Sequence, residues 1–205
     1  MSLKSPLIFG PLGLPHRLHL LRDLRRIELV LEVNEPKGLA ITRLRARTQH
    51  FVNVIRQHAG DEGKKSLLNH LHVRLAGIQR QRRCSRRARG TKVYTLLPER
   101  YMFTLEPLAS MQGIEDTDIW GVSEWFKQCL EMRIRGQGGE LAAADWPTKV
   151  VERRRKGSRK PLQVEVSARE GWQPTFDWRE FAQRNDVALP ENIDMFLPAP
   201  HTGAQ

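Results

Sequence analysis

The clearest alternation of apolar and polar residues lies in the segment 26–33. Apolar side chains occupy every second position from Ile27 to Val33, and Glu28 and Glu32 stand between them. A period of two puts the apolar residues on one face of an extended chain. The segment therefore predicts a half-buried β-strand, ended by the turn-forming residues that follow it.

Two amphipathic helices are predicted next along the chain. Over residues 39–58 the apolar residues recur at every third or fourth position, which predicts a helix whose arginines lie off the buried stripe. The leucine spacing from Lys64 to Ile78 predicts a second helix. On that helix His70 and His72 would point about 200° apart and could not share a metal ion. On a strand they would share a face.

A hairpin is expected after the second helix and a basic segment. Residues 92–97 and 100–105 predict two strands, joined by a tight turn at Pro98 and Glu99. The order of helix, helix, basic segment and hairpin fits a winged-helix-like reader of nucleic acid. It fits a small α+β sheet domain equally well.

The second half of the chain predicts further helices and another hairpin. Apolar spacing indicates a helix over residues 121–135 that ends at a run of glycines. Strands over 149–155 and 162–166 would pair as a hairpin with cations near its tip. A short helix over 176–184, capped by Thr175, would follow.

Together these elements predict a small α+β fold. It would have two to four helices and one or two β-hairpins, around a winged-helix-like or small-sheet core, with a flexible N-terminal arm and C-terminal tail. The expected segments are an irregular arm (1–22), a basic α+β core (23–110), a helix with a basic hairpin and an acidic C-terminal part (111–197), and a disordered tail (198–205). No apolar stretch approaches the roughly 20 residues of a membrane span, so a spanning protein is not expected.

The net positive charge indicates a class of partner more specifically than the rest of the composition does. The 205 residues include 34 Lys and Arg against 23 Asp and Glu, a formal charge of +11, and 25 of the 34 cations are arginine. Such a surplus favours a polyanionic partner. Arginine binds phosphate or guanine with two parallel hydrogen bonds and stacks on bases, so its excess favours nucleic acid in particular.

The cations are concentrated in two segments. Ten lie between Lys64 and Lys92 with no acid among them, six of these ten within residues 80–89, and a further six lie within residues 153–160. From Glu170 to the end there are instead six acids and two arginines. The predicted phosphate contacts are Arg74, Arg80, Arg82, Arg83, Arg86, Arg87, Arg89, Lys92, Arg153, Arg154, Arg155, Lys156, Arg159 and Lys160.

The leading hypothesis is a non-enzymatic nucleic-acid-binding protein, a regulatory or accessory component of a prokaryotic nucleoprotein complex in the cytoplasm. The pattern does not distinguish DNA from RNA as the partner. The acidic C-terminal part would face away from phosphate or recruit other protein subunits. No cofactor or metal is predicted, because the sequence has no metal-ligand spacing and no phosphate-binding loop before a helix. A structural ribonucleoprotein subunit is a further alternative.

The enzymatic alternative is a metal-independent, structure-specific ribonuclease. Such an enzyme needs a general base close to cations that stabilise the charge developing on the phosphate. The candidate bases are His50, His58, His70 and Tyr94.

Other chemistry-bearing residues have plainer expected roles. Glu115, Asp116 and Asp118 precede a predicted helix and are expected to cap it. Cys84 lies among four arginines, which would favour its thiolate and make it reactive if exposed. Four aromatic residues near the basic segments could stack on unpaired bases, although the core is the more usual place for each: Tyr94, Tyr101, Phe103 and Trp172.

Overall fold

A computed structural model describes most of the chain. The described residues are 2–3, 24–33, 38–60, 68–80, 92–153 and 162–198. Most of the predicted arm and tail lies outside these ranges, and so do residues 81–91 and 154–161, which carry much of the predicted basic surface.

The described elements form the mixed α+β fold that the sequence predicts. In chain order they are β1 (Ser2–Leu3), β2 (Arg26–Val33), α1 (Gly38–Gly60), β3 (His70–Arg80), β4 (Lys92–Thr95), a 3₁₀ helix (Glu99–Ser110), β5 (Asp116–Trp120), α2 (Glu124–Arg135), β6 (Thr148–Arg153), β7 (Leu162–Ser167), α3 (Trp178–Arg184) and a 3₁₀ turn (Ile193–Met195). In the described part of the chain, no helix is both long and apolar enough to cross a membrane.

The main sheet is built around β3, its longest strand. β2 runs parallel to β3 over eight residue pairs, from Arg26↔His70 to Val33↔Gly77, and β1 pairs with the outer edge of β2. The other side of β3 is shared by two strands. β5 pairs parallel with its first half, and β4 pairs antiparallel with its second half. β6 and β7 form a separate antiparallel pair.

Among the described elements, helices cover one face of this sheet and none covers the other. The odd-numbered residues of β2 and β3, from Ile27 to Val33 and from Leu71 to Leu75, belong to one hydrophobic core with α1, the 3₁₀ helix, α2 and α3. The residues between them, such as Glu28 and Arg74, are exposed or half-buried. A sheet covered on one side leaves the opposite row of side chains available to a ligand.

The strand predicted at 26–33 and the helix predicted at 39–58 are confirmed, whereas the helix predicted at 64–78 is wrong. His70–Arg80 is a strand. Leu71 and Leu75 satisfy a period of two as well as helical spacing, and Val73 lies between them, so the pattern fits both structures. Pairing with β2 on one side and β5 on the other selects the strand.

The strand predicted at 92–97 is confirmed as β4, but its partner predicted at 100–105 is wrong. Residues 99–110 form a 3₁₀ helix in which every residue from Tyr101 to Ala109 is buried. Periodicity cannot tell a helix from a strand when all sides of a segment are apolar and buried. The small-sheet version of the predicted fold is therefore the one observed.

The elements predicted in the second half of the chain are confirmed, with one changed cap. α2 ends at Gly136, whose left-handed backbone (φ 82°) closes the helix as the glycine run predicts. α3 is capped by Asp177, which accepts a hydrogen bond from the backbone N–H of Glu180 at 3.0 Å. Thr175, the predicted cap, is bound to Glu106 instead.

Glu106 is a buried carboxylate that joins three parts of the fold. It lies in the 3₁₀ helix, is 1% exposed, and accepts hydrogen bonds from the backbone N–H groups of Thr175 and Phe176 and from the indole of Trp178. The guanidinium of Arg45 on α1 forms an ion pair with the same carboxylate. Arg45 is therefore half-buried, unlike the other arginines of α1, which lie off the buried stripe as predicted.

Gly121 directly follows β5 and lies very close to the backbone of β3. Its φ is +86°, and a Cβ at this position would lie 1.8 Å from the carbonyl oxygen of Leu75. Only glycine allows this close approach together with a left-handed backbone. Gly113 has a similar φ of +80° but open space around it.

Cys129 is predicted to be unreactive in the folded protein. It is fully buried on α2, and burial raises the pKa of its thiol to about 12. Because the thiolate is the nucleophile, a Cys84→Ser variant is expected to show no reaction with a thiol reagent at pH 8 until denaturant is added, and then one thiol per chain. Rapid reaction of the native variant would contradict the packing of α2.

Candidate functional site

Both arginine-rich segments connect neighbouring ends of paired antiparallel strands. Arg80 at the end of β3 pairs with Lys92 at the start of β4, so residues 81–91 leave and re-enter the sheet at adjacent positions. Arg153 and Leu162 pair in the same way at the end of the β6–β7 hairpin. The hairpin predicted at 149–155 and 162–166 is thus confirmed in its strands, β6 and β7.

The predicted phosphate contacts fall into three groups. The side chain of Arg74 is exposed in the middle of β3. Arg80, Lys92 and Arg153 are terminal residues of β3, β4 and β6. The others lie outside the described residues: Arg82, Arg83, Arg86, Arg87, Arg89, Arg154, Arg155, Lys156, Arg159 and Lys160.

A second feature occupies the uncovered side of the main sheet, which is named the open face here. It holds a cavity of about 450 Å³, within the size range of small-ligand sites. Polar and aromatic side chains from the three parallel strands line this cavity: Arg26, Glu28, His72, Arg74, Asp116, Asp118 and Trp120.

Two histidines and two aspartates meet on the open face because β3 and β5 are in register. His70 pairs with Asp116 and His72 with Asp118. His70 Nδ1 lies 2.6 Å from Asp116 Oδ2, a hydrogen-bond distance. His72 lies between the two carboxylates, with Nε2 at 3.7 Å from Asp116 Oδ2 and Nδ1 at 3.7 Å from Asp118 Oδ2.

Each of the two aspartates on this face has polar or charged neighbours. The hydrogen bond from His70 is the main reason that the pKa of Asp116 is lowered. Any stability that follows from this shift is present above the ordinary pKa of an aspartate and is lost as the pH falls through the lowered pKa. Asp118 accepts a hydrogen bond from the indole N–H of Trp120, and Lys127 lies 3.7 Å from the other oxygen of Asp118 and 5.6 Å from the centre of the Trp120 ring.

α2 holds β5 in place from its outer edge. Glu131 on α2 accepts a hydrogen bond from the backbone N–H of Ile119 at 3.0 Å, and Arg135 lies 3.2 Å from its other oxygen. Burial raises the pKa of Glu131. This contact satisfies an edge-strand donor and fixes the strand that carries Asp116 and Asp118.

Two sequence predictions about these residues are corrected. His70 and His72 do share a face, since the segment is a strand. Glu115 directly precedes β5, and Asp116 and Asp118 lie within it, so none of the three caps a helix. The alternation of His70, His72 and Arg74 with apolar residues indicates a strand. The spacing of the leucines, which also fits a helix, was given more weight.

The other candidate bases and stacking residues are dispersed. His50 is exposed on α1, on the covered side of the sheet, and the side chain of His58 lies outside the described part of the chain. Tyr94 is 52% exposed and donates a hydrogen bond to Glu32 at 3.3 Å. Tyr101 and Phe103 are core residues. Trp172 is half-buried against Phe196, and Trp120, which sequence reasoning did not single out, is 59% exposed.

The acidic C-terminal part makes several contacts within itself. Asp194 pairs with Arg179, and Glu180 pairs with Arg184 one helical turn away. Its proposed role in recruiting other subunits stays a prediction.

Among the described residues, no group of three or more His, Cys, Asp or Glu side chains is arranged to hold a metal ion. No family model, curated protein or solved structure matches this chain.

Proposed function

We propose that this protein binds nucleic acid, DNA or RNA, by gripping phosphates with its two arginine-rich segments, as an accessory component of a nucleoprotein complex. The observation that carries the proposal is the position of these segments between paired strand ends, Arg80↔Lys92 and Arg153↔Leu162. A hairpin concentrates its connecting residues at one end of two strands. Cations brought together in this way repel one another unless a polyanion neutralises them.

The β6–β7 hairpin supports this role by its exposure. Val150 is 61% exposed, and most other described side chains of the hairpin are exposed or half-buried. A two-stranded ribbon with a basic end fits the major groove of DNA, and a basic loop can also hold an RNA stem. Duplex DNA and stem-loop RNA are therefore both candidate ligands.

Reversing Arg82, Arg83, Arg86 and Arg87 to Glu is expected to abolish binding and leave folding unchanged. Each phosphate contact contributes about 0.9 to the slope of log affinity against log salt concentration on duplex DNA. Removal of four contacts should lower the slope by about 3 to 4 and the affinity by more than about 100-fold. Fluorescence anisotropy with labelled duplex DNA and stem-loop RNA between 50 and 300 mM salt measures both quantities.

A matched control variant distinguishes the effect of where the arginines lie from the effect of the net charge. Arg43, Arg47, Arg56 and Arg100 are four exposed arginines outside the two segments. Their reversal to Glu changes the net charge by the same amount, and the expected loss of affinity is less than about tenfold. Equal losses in the two variants, or binding by the first variant at 150 mM salt, would show that the arginine-rich segment is not the contact surface.

A ribonuclease is the second candidate function, because one specific observation favours it. Of the four predicted bases, His70 forms a hydrogen bond with the carboxylate of Asp116 and is paired with Arg26 across β2 and β3.

A further inference from the structure

We infer that the cavity on the open face binds one unpaired guanine base of a single-stranded nucleic acid. Glu28, Arg74 and Trp120 are the residues that recognise the base. The inference rests on the proposed function, because the arginine-rich segments supply most of the affinity for the strand. It adds a preference for one base, which phosphate contacts alone do not provide.

The three residues are neighbours because β2, β3 and β5 are parallel and in register. Arg74 pairs with Trp120 across β3 and β5, and Glu28 pairs with His72, two residues before Arg74. From the usual spacings in a sheet, the Cα atom of Glu28 is about 8 Å from that of Arg74 and about 12 Å from that of Trp120. All three residues line the cavity. Their side chains are long enough to meet on one purine.

The charged groups that line the cavity favour a neutral ligand over a phosphate. Three of them are carboxylates and two are guanidinium groups: Glu28, Asp116, Asp118, Arg26 and Arg74. The carboxylates repel phosphate, whereas a base is uncharged and carries both hydrogen-bond donors and acceptors. The cavity is therefore complementary to a base, and the arginine-rich segments are complementary to the phosphates of the same strand.

Glu28 and Arg74 are charged groups that remain available to a ligand. Glu28 is half-buried and Arg74 is exposed, and neither side chain has a hydrogen-bond or ion-pair partner among the described residues. By contrast, Asp116 and Asp118 already have neighbouring side chains on their carboxylates. Both ring nitrogens of His72 face these two carboxylates, so His72 has no part in holding the base.

A carboxylate and a guanidinium beside one aromatic ring select guanine among the bases. A carboxylate only accepts hydrogen bonds, and guanine alone has two adjacent donors on one edge, N1–H and the N2 amino group. The guanidinium of Arg74 can donate two hydrogen bonds to O6 and N7 on the adjoining edge. In adenine and cytosine a ring-nitrogen acceptor lies beside the amino group, and in uracil and thymine two carbonyl acceptors flank the single N–H. Glu28 would repel these acceptors.

Trp120 provides the surface on which the base stacks. It is 59% exposed, and its indole N–H donates a hydrogen bond to Asp118. Lys127 lies 5.6 Å from the centre of the ring. These contacts hold the ring in one orientation before the base binds, which lowers the entropic cost of binding. Stacking tolerates every base, so Trp120 supplies affinity while Glu28 and Arg74 supply specificity.

The cavity and the first arginine-rich segment lie along the same strand. Arg74 and Arg80 are six residues apart on β3, which is about 20 Å along the strand. A single-stranded nucleic acid that is held by residues 81–91 can extend over the open face and place one base in the cavity. Base preference and overall affinity should therefore respond to different substitutions.

The test is fluorescence anisotropy of the full-length protein with labelled oligothymidylate strands that carry one central guanine, adenine or cytosine, and with the same series in oligouridylate. We expect the guanine strand to bind at least about tenfold more tightly than the other two. Most of this preference should be lost with inosine, which lacks the N2 amino group, and with 7-deazaguanine, which lacks N7. These analogues test the unaltered protein, so the result does not depend on the folding of any variant.

The variant that tests the carboxylate is Glu28→Gln. It should remove the preference for guanine, because an amide cannot accept both hydrogen bonds, and should change the affinity for an all-thymine strand by less than twofold. Glu32→Gln is the matched control. Glu32 lies on the same strand but is not among the residues that line this cavity, so the preference should be kept.

Two further variants test the other contacts. Arg74→Ala should lower the preference for guanine and leave the dependence of affinity on salt unchanged, whereas loss of a phosphate contact would lower the slope by about 0.7 on a single strand. Trp120→Ala should weaken binding of the guanine strand at least about fivefold. A lowered salt slope in Arg74→Ala with the guanine preference intact would make Arg74 a phosphate contact and contradict its role here.

Equal affinity for the guanine, adenine and cytosine strands, or an unchanged preference in Glu28→Gln, would overturn this inference and leave the binding function standing. Binding of duplexes without binding of single strands would do the same. Equal affinity for free guanosine monophosphate and for the guanine strand would assign the cavity to a free nucleotide and also overturn it. Failure to bind any nucleic acid would overturn the proposed function itself.

Discussion

Replacing Glu106 with alanine is expected to lower the free energy of unfolding by about 3–5 kcal/mol, a typical loss when one member of a buried ion pair is removed. The change leaves the guanidinium of Arg45 half-buried without its carboxylate. It also removes the acceptor for the backbone N–H groups of Thr175 and Phe176 and for the indole of Trp178. Urea denaturation followed by circular dichroism measures the loss.

Glu180→Ala is the control for this prediction. Glu180 forms an exposed pair with Arg184 at 3.2 Å on α3, and such pairs contribute about 0.3–0.5 kcal/mol. A Glu106→Ala variant that loses no more stability than Glu180→Ala would mean that the carboxylate does not hold α1, the 3₁₀ helix and the C-terminal part together. Limited proteolysis should also cut the Glu106→Ala variant between β7 and α3 before the rest of the domain unfolds.

Gly121→Ala is expected to destabilise the protein by about 2–5 kcal/mol. Of this, about 1–2 kcal/mol follows from the left-handed backbone, which disfavours any residue with a Cβ. A further 1–3 kcal/mol, approximately, follows from overpacking, because the new methyl group would lie 1.8 Å from the carbonyl oxygen of Leu75 and β5 must move away from β3. Thermal and urea unfolding measure the total.

Gly113→Ala separates the two causes. Gly113 has nearly the same φ as Gly121, but a Cβ there meets no atom within 4 Å. Its loss should be limited to the conformational part, about 1–2 kcal/mol. Equal losses at Gly113 and Gly121 would contradict the close approach of Gly121 to the backbone of Leu75.

The open face shows why part of the site could not be predicted. Asp116 and Asp118 are 46 residues away from His70 and His72 in the chain, and only the parallel register of β3 and β5 makes them neighbours. The local pattern around the histidines fits both a helix and a strand, so their relative direction was undetermined. The sequence predicted a helix over residues 64–78 and a capping role for Asp116 and Asp118. Because both predictions were wrong, the cluster of two histidines and two aspartates was not predicted.

The basic segments were easier to recognise, because charge is a property of composition and order. Their cations can be counted without any knowledge of the fold. The sequence could not establish that residues 81–91 join two paired strands. The leucine spacing predicted a helix where β3 lies, so the pairing of β3 with β4 was not predicted.

By itself, then, the sequence determined elements whose two sides differ in polarity, among them β2, α1 and α2. For these segments burial on one side alone selects the conformation. The tertiary structure decided β3, whose pattern fits a helix and a strand alike, and the 3₁₀ helix, which is buried on all sides. It also decided the partners of isolated polar groups, such as Glu106 with Thr175 and His70 with Asp116. Contacts between distant parts of the chain form only when the core forms. The local pattern of apolar and polar residues therefore does not predict them.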